Sequence, residues 1–357
     1  MRYLRSIALS LALALGLTAC SGTPADPDTA EEHVQFLAMD TAMTLSVYGE
    51  RRSAALQAAE HQIQDLEAQL SRTEPDSAVS RLNEAGTLEA GERAEDLLPL
   101  LEAAERYCRE TGGAFDITVA PVVAAWGFAG GNGYHVPSPA ELESLLERVD
   151  GTAVKIEGRT VTLSPGQSVD LGGIAKGYAA DKLANIFREC EIPRAMASLG
   201  GNVLAWGNRP DGMPWRVGVQ DPARHGDQGA FAGILNLENA FAVTSGGYQR
   251  YFEQDGKRYH HIIDPATGYP ASSGLTSVTV VAGCAGGQDL PGTMCDALST
   301  TFFVLGEALA LDFWSAWTGV PFDLVLITED GRVVITEGLA ESFTLDEGSG
   351  YTLEIVS

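Results

Sequence analysis

The stretch Ser168-Val-Asp-Leu-Gly-Gly-Ile-Ala-Lys-Gly-Tyr-Ala-Ala-Asp181 constrains this chain most, because it prescribes a change of secondary structure within a few residues. The residues predict a short buried strand ending at Leu171, a turn at Gly172-Gly173, and a helix from about Ile174 to Arg188. Ile174, Tyr178, Ala179, Leu183 and Ile186 recur at helical spacing and give that helix an apolar face. A strand that runs through glycines into a helix leaves backbone N–H groups free at the helix N-terminus, which suits an anion such as a phosphate. Asp170 and Lys176 put opposite charges beside this turn. A glycine turn with an ordinary helix cap would use the same residues, so the stretch alone does not decide.

Length leaves room for a large core in one or two domains: 357 residues, 45% hydrophobic and 20% charged. A net charge of −25 argues against nucleic acid or anionic lipid as a partner of the folded surface. Residues 1–20 read as a targeting segment, with Arg2 and Arg5 followed by an apolar run, Ile7 to Leu17, too short to span as a mature helix. Its end, Leu17-Thr-Ala-Cys20, resembles the lipobox of bacterial lipoproteins, which implies lipidation of Cys20 and a chain anchored to a bacterial membrane, facing the periplasm or cell exterior. Ser21 then implies outer-membrane sorting if the cell is Gram-negative. Residues 21–31 are polar, carry two prolines and read as a flexible tether.

Residues 32–357 show neither an internal repeat nor a low-complexity linker and are read as one unit. Val34 to Tyr48 is strand-like with a break at Met39-Asp40-Thr41, and Ser53 to Leu70 is an amphipathic helix. Ala94 to Glu110 forms the next helix, stopped by Gly112-Gly113. Ser138-Pro-Ala-Glu141 is a capping box opening a helix to about Val149, and Val154 to Leu163 is a hairpin turning at Gly158. Beyond the central helix, strands are expected at Ala195–Leu199, Val203–Ala205, Trp215–Gln220, Phe231–Leu237, Ala240–Thr244 and Leu275–Ala282. A hairpin turns at Asp255-Gly256, and a buried helix covers Asp296–Leu305. The fold class is α+β, with mixed or antiparallel sheets interleaved with helices.

Asp296 and Thr300 sit at i and i+4 on one helix face, hard oxygen donors of the kind that suit Mg²⁺. An N-cap Asp with a Thr bonded back to its own helix has the same spacing. His260-His261-Ile-Ile-Asp264-Pro-Ala-Thr-Gly268 ends a strand in a turn, and a histidine there can serve as general base or simply stand half-exposed. Thr244-Ser-Gly-Gly247 offers hydroxyls after a strand, and Gly113-Ala-Phe-Asp-Ile-Thr118 with Trp126-Gly-Phe128 offers an acid and aromatics whose default place is the core. The chain carries no Gly-x-Ser-x-Gly elbow, Walker lysine pattern, His-Glu-x-x-His or Cys-x-x-Cys.

Taken together and in order, Met39-Asp-Thr41, Ser77 to Asn83, Gly113 to Pro121, Trp126-Gly-Phe128, Asp170 to Asp181, Leu199-Gly-Gly-Asn202, Thr244-Ser-Gly246, His261-Ile-Ile-Asp-Pro265 and Asp296 to Thr300 closely resemble the ApbE family over nearly all of the mature chain. The resemblance implies a T-fold-like catalytic unit that cuts FAD at its pyrophosphate, releases AMP and attaches FMN to a threonine of a target flavoprotein subunit of a membrane redox complex. By position it implies FAD contacts at Met39, Thr73, Ala114, Phe115, Asp116, Asp170, Lys176 and His261. It implies Mg²⁺ on Asp296, Thr300 and the carbonyl of Gly173, with His261 assisting removal of the threonine proton. Phosphoryl transfer needs mainly positioning and charge neutralisation, which a glycine turn, a lysine and a metal provide.

Three departures stand out, the third being a segment from Cys284 to Cys295 that is longer and more glycine-rich than is usual in the family. Thr73 occupies a position where many members of the family have an aromatic residue, which bears on the balance between transfer and hydrolysis of FAD to FMN and AMP. Gly247 stands where an Asp is common. Cys284 and Cys295 bound a long glycine-rich segment and are expected to pair as a disulfide, while Cys108 and Cys190 lie on apolar helix faces.

Overall fold

A computed structural model describes residues 29–357 apart from 92–93, 130–132, 228 and 285–289. Cys20, the targeting segment and most of the tether therefore lie outside the described residues, as do five residues between Cys284 and Cys295.

The main sheet has nine strands in the order β1 (Glu31–Ala38), β2 (Thr41–Tyr48), β6 (Arg194–Leu199), β7 (Asn202–Trp206), β10 (Ala240–Gly246), β13 (Leu275–Gly283), β14 (Phe322–Thr328), β15 (Arg332–Thr336) and β17 (Thr352–Val356). All its pairings are antiparallel except β15 with β17. A second sheet stacks β16 (Phe343–Leu345), β9 (Phe231–Leu237) and β8 (Trp215–Gln220). Two small elements complete the strands: β3 (Thr87–Glu89), β5 (Thr160–Thr162) and β4 (Lys155–Glu157), and the hairpin of β11 (Tyr251–Gln254) with β12 (Lys257–His260).

Period-two alternation divides the main sheet between two cores. On β10 and β14, Phe241, Val243, Leu324 and Leu326 face a helical layer, while Ala240, Ala242, Val325 and Ile327 face the second sheet. The helical layer holds α1 (Arg52–Leu70), α2 (Ala78–Ala85), α3 (Leu97–Glu110), α6 (Ala175–Glu189), α7 (Pro291–Leu305) and α8 (Glu307–Ala316). A separate cluster packs α4 (Ala120–Ala125) and α5 (Pro139–Leu146) against the β11–β12 hairpin around Trp126, which is fully buried. This is the expected α+β architecture, and Trp126 and Phe128 are core residues.

Four expectations differ from the fold. Ser168 to Leu171 joins no sheet, because its backbone is paired elsewhere. Asn83 clamps Val169 from both sides (Nδ2 to O, 2.9 Å; N to Oδ1, 2.7 Å), and Asp170 N donates to Ile117 O at 2.8 Å. The buried helix begins at Pro291, not at Asp296, which removes Cys295 from the loop. Cys284 and Cys295 are accordingly both free thiols: Cys295 is wholly buried within α7, and Cys284 half-buried just past β13. Burial pushes the Cys284 thiol up to about 12 and that of Cys295 well above its ordinary value. Strand β1 also opens at Glu31, inside the expected tether.

Candidate active site

Antiparallel pairing gathers several of the motifs at one end of the main sheet. The β1–β2 turn at Met39-Asp40, the β6–β7 turn at Gly200-Gly201 and the end of β10 at Thr244–Gly246 are neighbours there. Met39 and Asp40 adopt positive φ (49° and 60°), and Met39 N donates to Glu67 Oε1 at 2.7 Å, tying the turn to α1. Gly200 is required: with φ of 64°, a Cβ there would lie 2.2 Å from Thr41 Oγ1.

Below this end, α6 and α7 cross in close contact. A Cβ on Gly177 would lie 2.2 Å from Gly292 O, so the two backbones meet only because both residues are glycine. Each helix supplies a carboxylate to the other's N-terminal end. Asp296 of α7 accepts from Gly177 N at 2.8 Å, and Asp181 of α6 accepts from Gly292 N (2.8 Å), Thr293 N (2.7 Å) and Thr293 Oγ1 (2.6 Å). These carboxylates meet amides that lack intrahelical partners and the favourable end of each helix dipole. Asp296 is thus a cap in trans, not the cap of its own helix. Burial nevertheless raises Asp181 to about 6, against the lowering effect of its Thr293 and Gly292 donors.

Asp296, 3% exposed, and Thr300 share the face of α7 turned to this crossing. Thr300 Oγ1 lies 3.2 Å from Ser245 Oγ, which also contacts Ser299 Oγ at 2.9 Å. Gly173 abuts the same group: a Cβ there would be 3.3 Å from Phe115 and 3.4 Å from Thr300 Oγ1. The fold therefore brings together Phe115, Gly173 and Thr300, with Asp296 reached through Gly177. Ser245 joins them, a residue whose only sequence signal was a hydroxyl within Thr244-Ser-Gly246. Among the described residues no three His, Cys, Asp or Glu side chains form a metal cage.

The glycine turn is less open than its sequence predicts. Gly172 N is bonded to Asp170 Oδ1 (2.9 Å), Ile174 N and Ala175 N to Leu171 O (3.0 and 2.9 Å), and Gly177 N to Asp296. Positive charge at the turn comes instead from side chains. Lys176 Nζ rests on Gly172 O at 3.1 Å, and Arg72 Nε bridges Asp170 Oδ2 at 3.2 Å. Thr73, beside Arg72, is exposed, and its hydroxyl lies 3.1 Å from Ser71 Oγ. Ala114 precedes Phe115 at the end of α3, where Phe115 N donates to Thr111 Oγ1. The Asp116 carboxylate is already engaged by Thr118 N (2.7 Å), Thr118 Oγ1 (2.6 Å) and Gly151 N (2.8 Å), so it anchors the polypeptide.

His261 stands just past β12. Its Nδ1 lies 3.2 Å from Arg250 O, and a carbonyl only accepts, so Nδ1 carries the proton and Nε2 has the free lone pair. Burial pushes its pKa down to about 3, with the cationic Arg250 and Lys176 adding to the effect. The imidazole is therefore neutral at neutral pH, the form a general base requires. Adjacent His260 instead lines a separate cavity of about 560 Å³ together with Gly247, and none of the residues expected to contact FAD or the metal lines it.

The sequence profile of the ApbE family matches residues 39–321. The FAD:protein FMN transferase of Treponema pallidum is 33% identical over 85% of this chain and 86% of its own length, and that of Haemophilus influenzae 31% identical over 96% and 99%. Among solved structures, the ApbE protein of Thermotoga maritima aligns with a TM-score of 0.75 at 31% identity over 89% of this chain and 98% of its own. The flavin transferase ApbE from Vibrio cholerae aligns with a TM-score of 0.69 at 26% identity over 88% and 96%. With the profile spanning most of the chain and these relatives covering nearly all of it, the chain belongs to the ApbE family.

Proposed function

We propose that the chain is an FAD:protein FMN transferase that attaches FMN, through its phosphate, to a threonine side chain of a partner flavoprotein and releases AMP. The observation that carries this reading is that the Thr300 hydroxyl lies beside both Gly173 and Ser245, while the Asp296 carboxylate, one turn back on α7, meets Gly177 N at the start of α6. The activity of the relatives supports it. This donor set is all oxygen with one carboxylate, which fits Mg²⁺ shared with water and substrate phosphate better than a closed protein cage. Asp296, Thr300 and the carbonyl of Gly173 would hold the ion. When bound, it withdraws charge from the phosphate oxygens at the bond to be broken.

The protein's own groups do the rest. Lys176 neutralises phosphate charge at the glycine turn. His261 Nε2 takes the proton of the acceptor threonine, whose oxygen bonds to the phosphorus of the FMN half. The bond from that phosphorus to the AMP oxygen breaks, and AMP leaves with the electron pair. Met39, Thr73, Ala114, Phe115 and Asp170 contact FAD. Asp116 contributes through its backbone, because its carboxylate is engaged internally. Cys20 carries the lipid anchor, which holds the enzyme at a bacterial membrane facing the periplasm or cell exterior, near a flavoprotein subunit of a membrane redox complex. Among the described residues no helix is long and apolar enough to cross a membrane.

Exposed Thr73 favours one rival, FAD pyrophosphatase activity, because it leaves the flavin without aromatic cover against water. Chromatography of products from FAD, Mg²⁺ and an acceptor domain separates the two. Transfer releases AMP with little free FMN, whereas equal AMP and free FMN at saturating acceptor would replace transferase with pyrophosphatase.

A further inference from the structure

We infer that Arg72 is a positioning residue for FAD, pinning the Ser71–Ser77 loop to the glycine turn through Asp170. The inference rests on the reading of Asp170 as a flavin-site residue, and its observations lie on both sides of the contact. The loop is closed on itself: Ser71 Oγ accepts from Thr73 N (3.2 Å) and Glu74 N (3.1 Å), and Ser77 Oγ donates to Ser71 O. Ser77 also caps α2 by accepting from Ser80 N at 2.9 Å. The hydroxyl of Thr73 is held within the loop, and Arg72 is the side chain that reaches out, with Nε 3.2 Å from Asp170 Oδ2.

On the other side, Asp170 cannot drift. Its amide is fixed on Ile117 O, its neighbour Val169 is clamped by Asn83 of α2, and its Oδ1 holds Gly172 N. The guanidinium therefore bonds one oxygen of a carboxylate whose other oxygen shapes the turn. Both side chains are about four-fifths shielded (19% and 21% exposed), so the pair is screened less than an open surface bridge. Asn83 and Arg72 anchor two successive residues, Val169 and Asp170, to one loop-and-helix unit. Where an aromatic at position 73 would hold the loop by stacking on the ligand, this chain holds it by an ion pair to the protein.

The test measures FAD affinity by quenching of flavin fluorescence, alongside kcat and KM, for wild type, Arg72→Ala, Arg72→Lys and Asp170→Asn. Arg72→Ala should weaken FAD binding and raise KM about tenfold, the effect of removing a charge-assisted hydrogen bond, with kcat within about twofold and the unfolding midpoint unchanged. Arg72→Lys should recover part of the affinity, and the Arg72→Ala/Asp170→Asn double variant should be no worse than the poorer single one. Unchanged FAD affinity in Arg72→Ala would overturn the inference. So would a parallel fall in kcat and midpoint, which marks general disruption. A wild type that binds FAD yet forms no protein adduct would defeat the transferase reading while the affinity comparison still decides the role of Arg72.

Discussion

The crossing of α6 and α7 and the loop of Ser71–Ser77 border the same turn but are built on opposite terms. At the crossing, glycine meets glycine, the carboxylates of Asp181 and Asp296 are almost wholly buried, and each is matched to backbone amides of the other helix. At the loop, the link is one partly exposed ion pair between long side chains. The contrast teaches where each task belongs. A carboxylate proposed to hold a metal needs a fixed position, which close-packed backbone supplies, whereas a loop proposed to position a ligand can be held by side-chain contacts of modest cost.

The largest effect should come from breaking the crossing's chemistry. Asp296→Ala removes the only carboxylate of the proposed metal site and should lower turnover by roughly three orders of magnitude, with FAD affinity falling far less. Equal turnover of variant and wild type at saturating Mg²⁺ would remove Asp296 from the site. Next, Gly177→Ala forces a Cβ onto Gly292 O and should destabilise the fold by about 1–3 kcal/mol despite alanine's better helix propensity. Thermal or denaturant unfolding reads this directly, and an unchanged midpoint would mean the helices separate freely.

Asp181 sharpens the comparison through pH. Its folded pKa, about 6, lies above the ordinary carboxylate value, so the folded state holds this proton more tightly than the unfolded chain does. Its contribution to stability is fully present below about pH 4 and is lost as pH rises through about 6. The difference in melting temperature between wild type and Asp181→Asn should therefore change between those values, and a flat difference would contradict the burial argument. His261, held down to about 3, should place no acid limb near 6.5 in the pH–rate profile of the free enzyme. The smallest effect is at the loop: Thr73→Tyr should reduce free FMN formed without acceptor by about twofold to fivefold, a range set by the modest worth of one aromatic contact.

Much of the fold was readable because its elements obey simple periods. The strands Trp215–Gln220 and Phe231–Leu237 appear where expected, and the central helix follows its apolar spacing. Phe322–Thr328 was harder, since a strand covered on both faces is a continuous apolar run without alternation. Ser168–Leu171 reads as a strand because apolar Val169 and Leu171 alternate with Ser168 and Asp170, but its partners are the side chain of Asn83 and the carbonyl of Ile117, which no local pattern announces. The same holds for the site. Asp296 and Thr300 were visible as a spaced pair, but Asp296 meets Gly177 across 119 positions of sequence and Asp181 meets Gly292 across 111. Arg72 carried no signal beyond its charge, because only the fold places it against Asp170.

The central claim is that the α6–α7 crossing serves transfer of FMN to a protein. Intact-mass spectrometry of an acceptor domain, after incubation with FAD, Mg²⁺ and either wild type or Asp296→Ala, tests it most directly. Wild type should give a single FMN adduct on an acceptor threonine, lost when that threonine is replaced and nearly absent with Asp296→Ala. An acceptor that stays unmodified while FAD is consumed, or one modified equally by both enzymes, would contradict it.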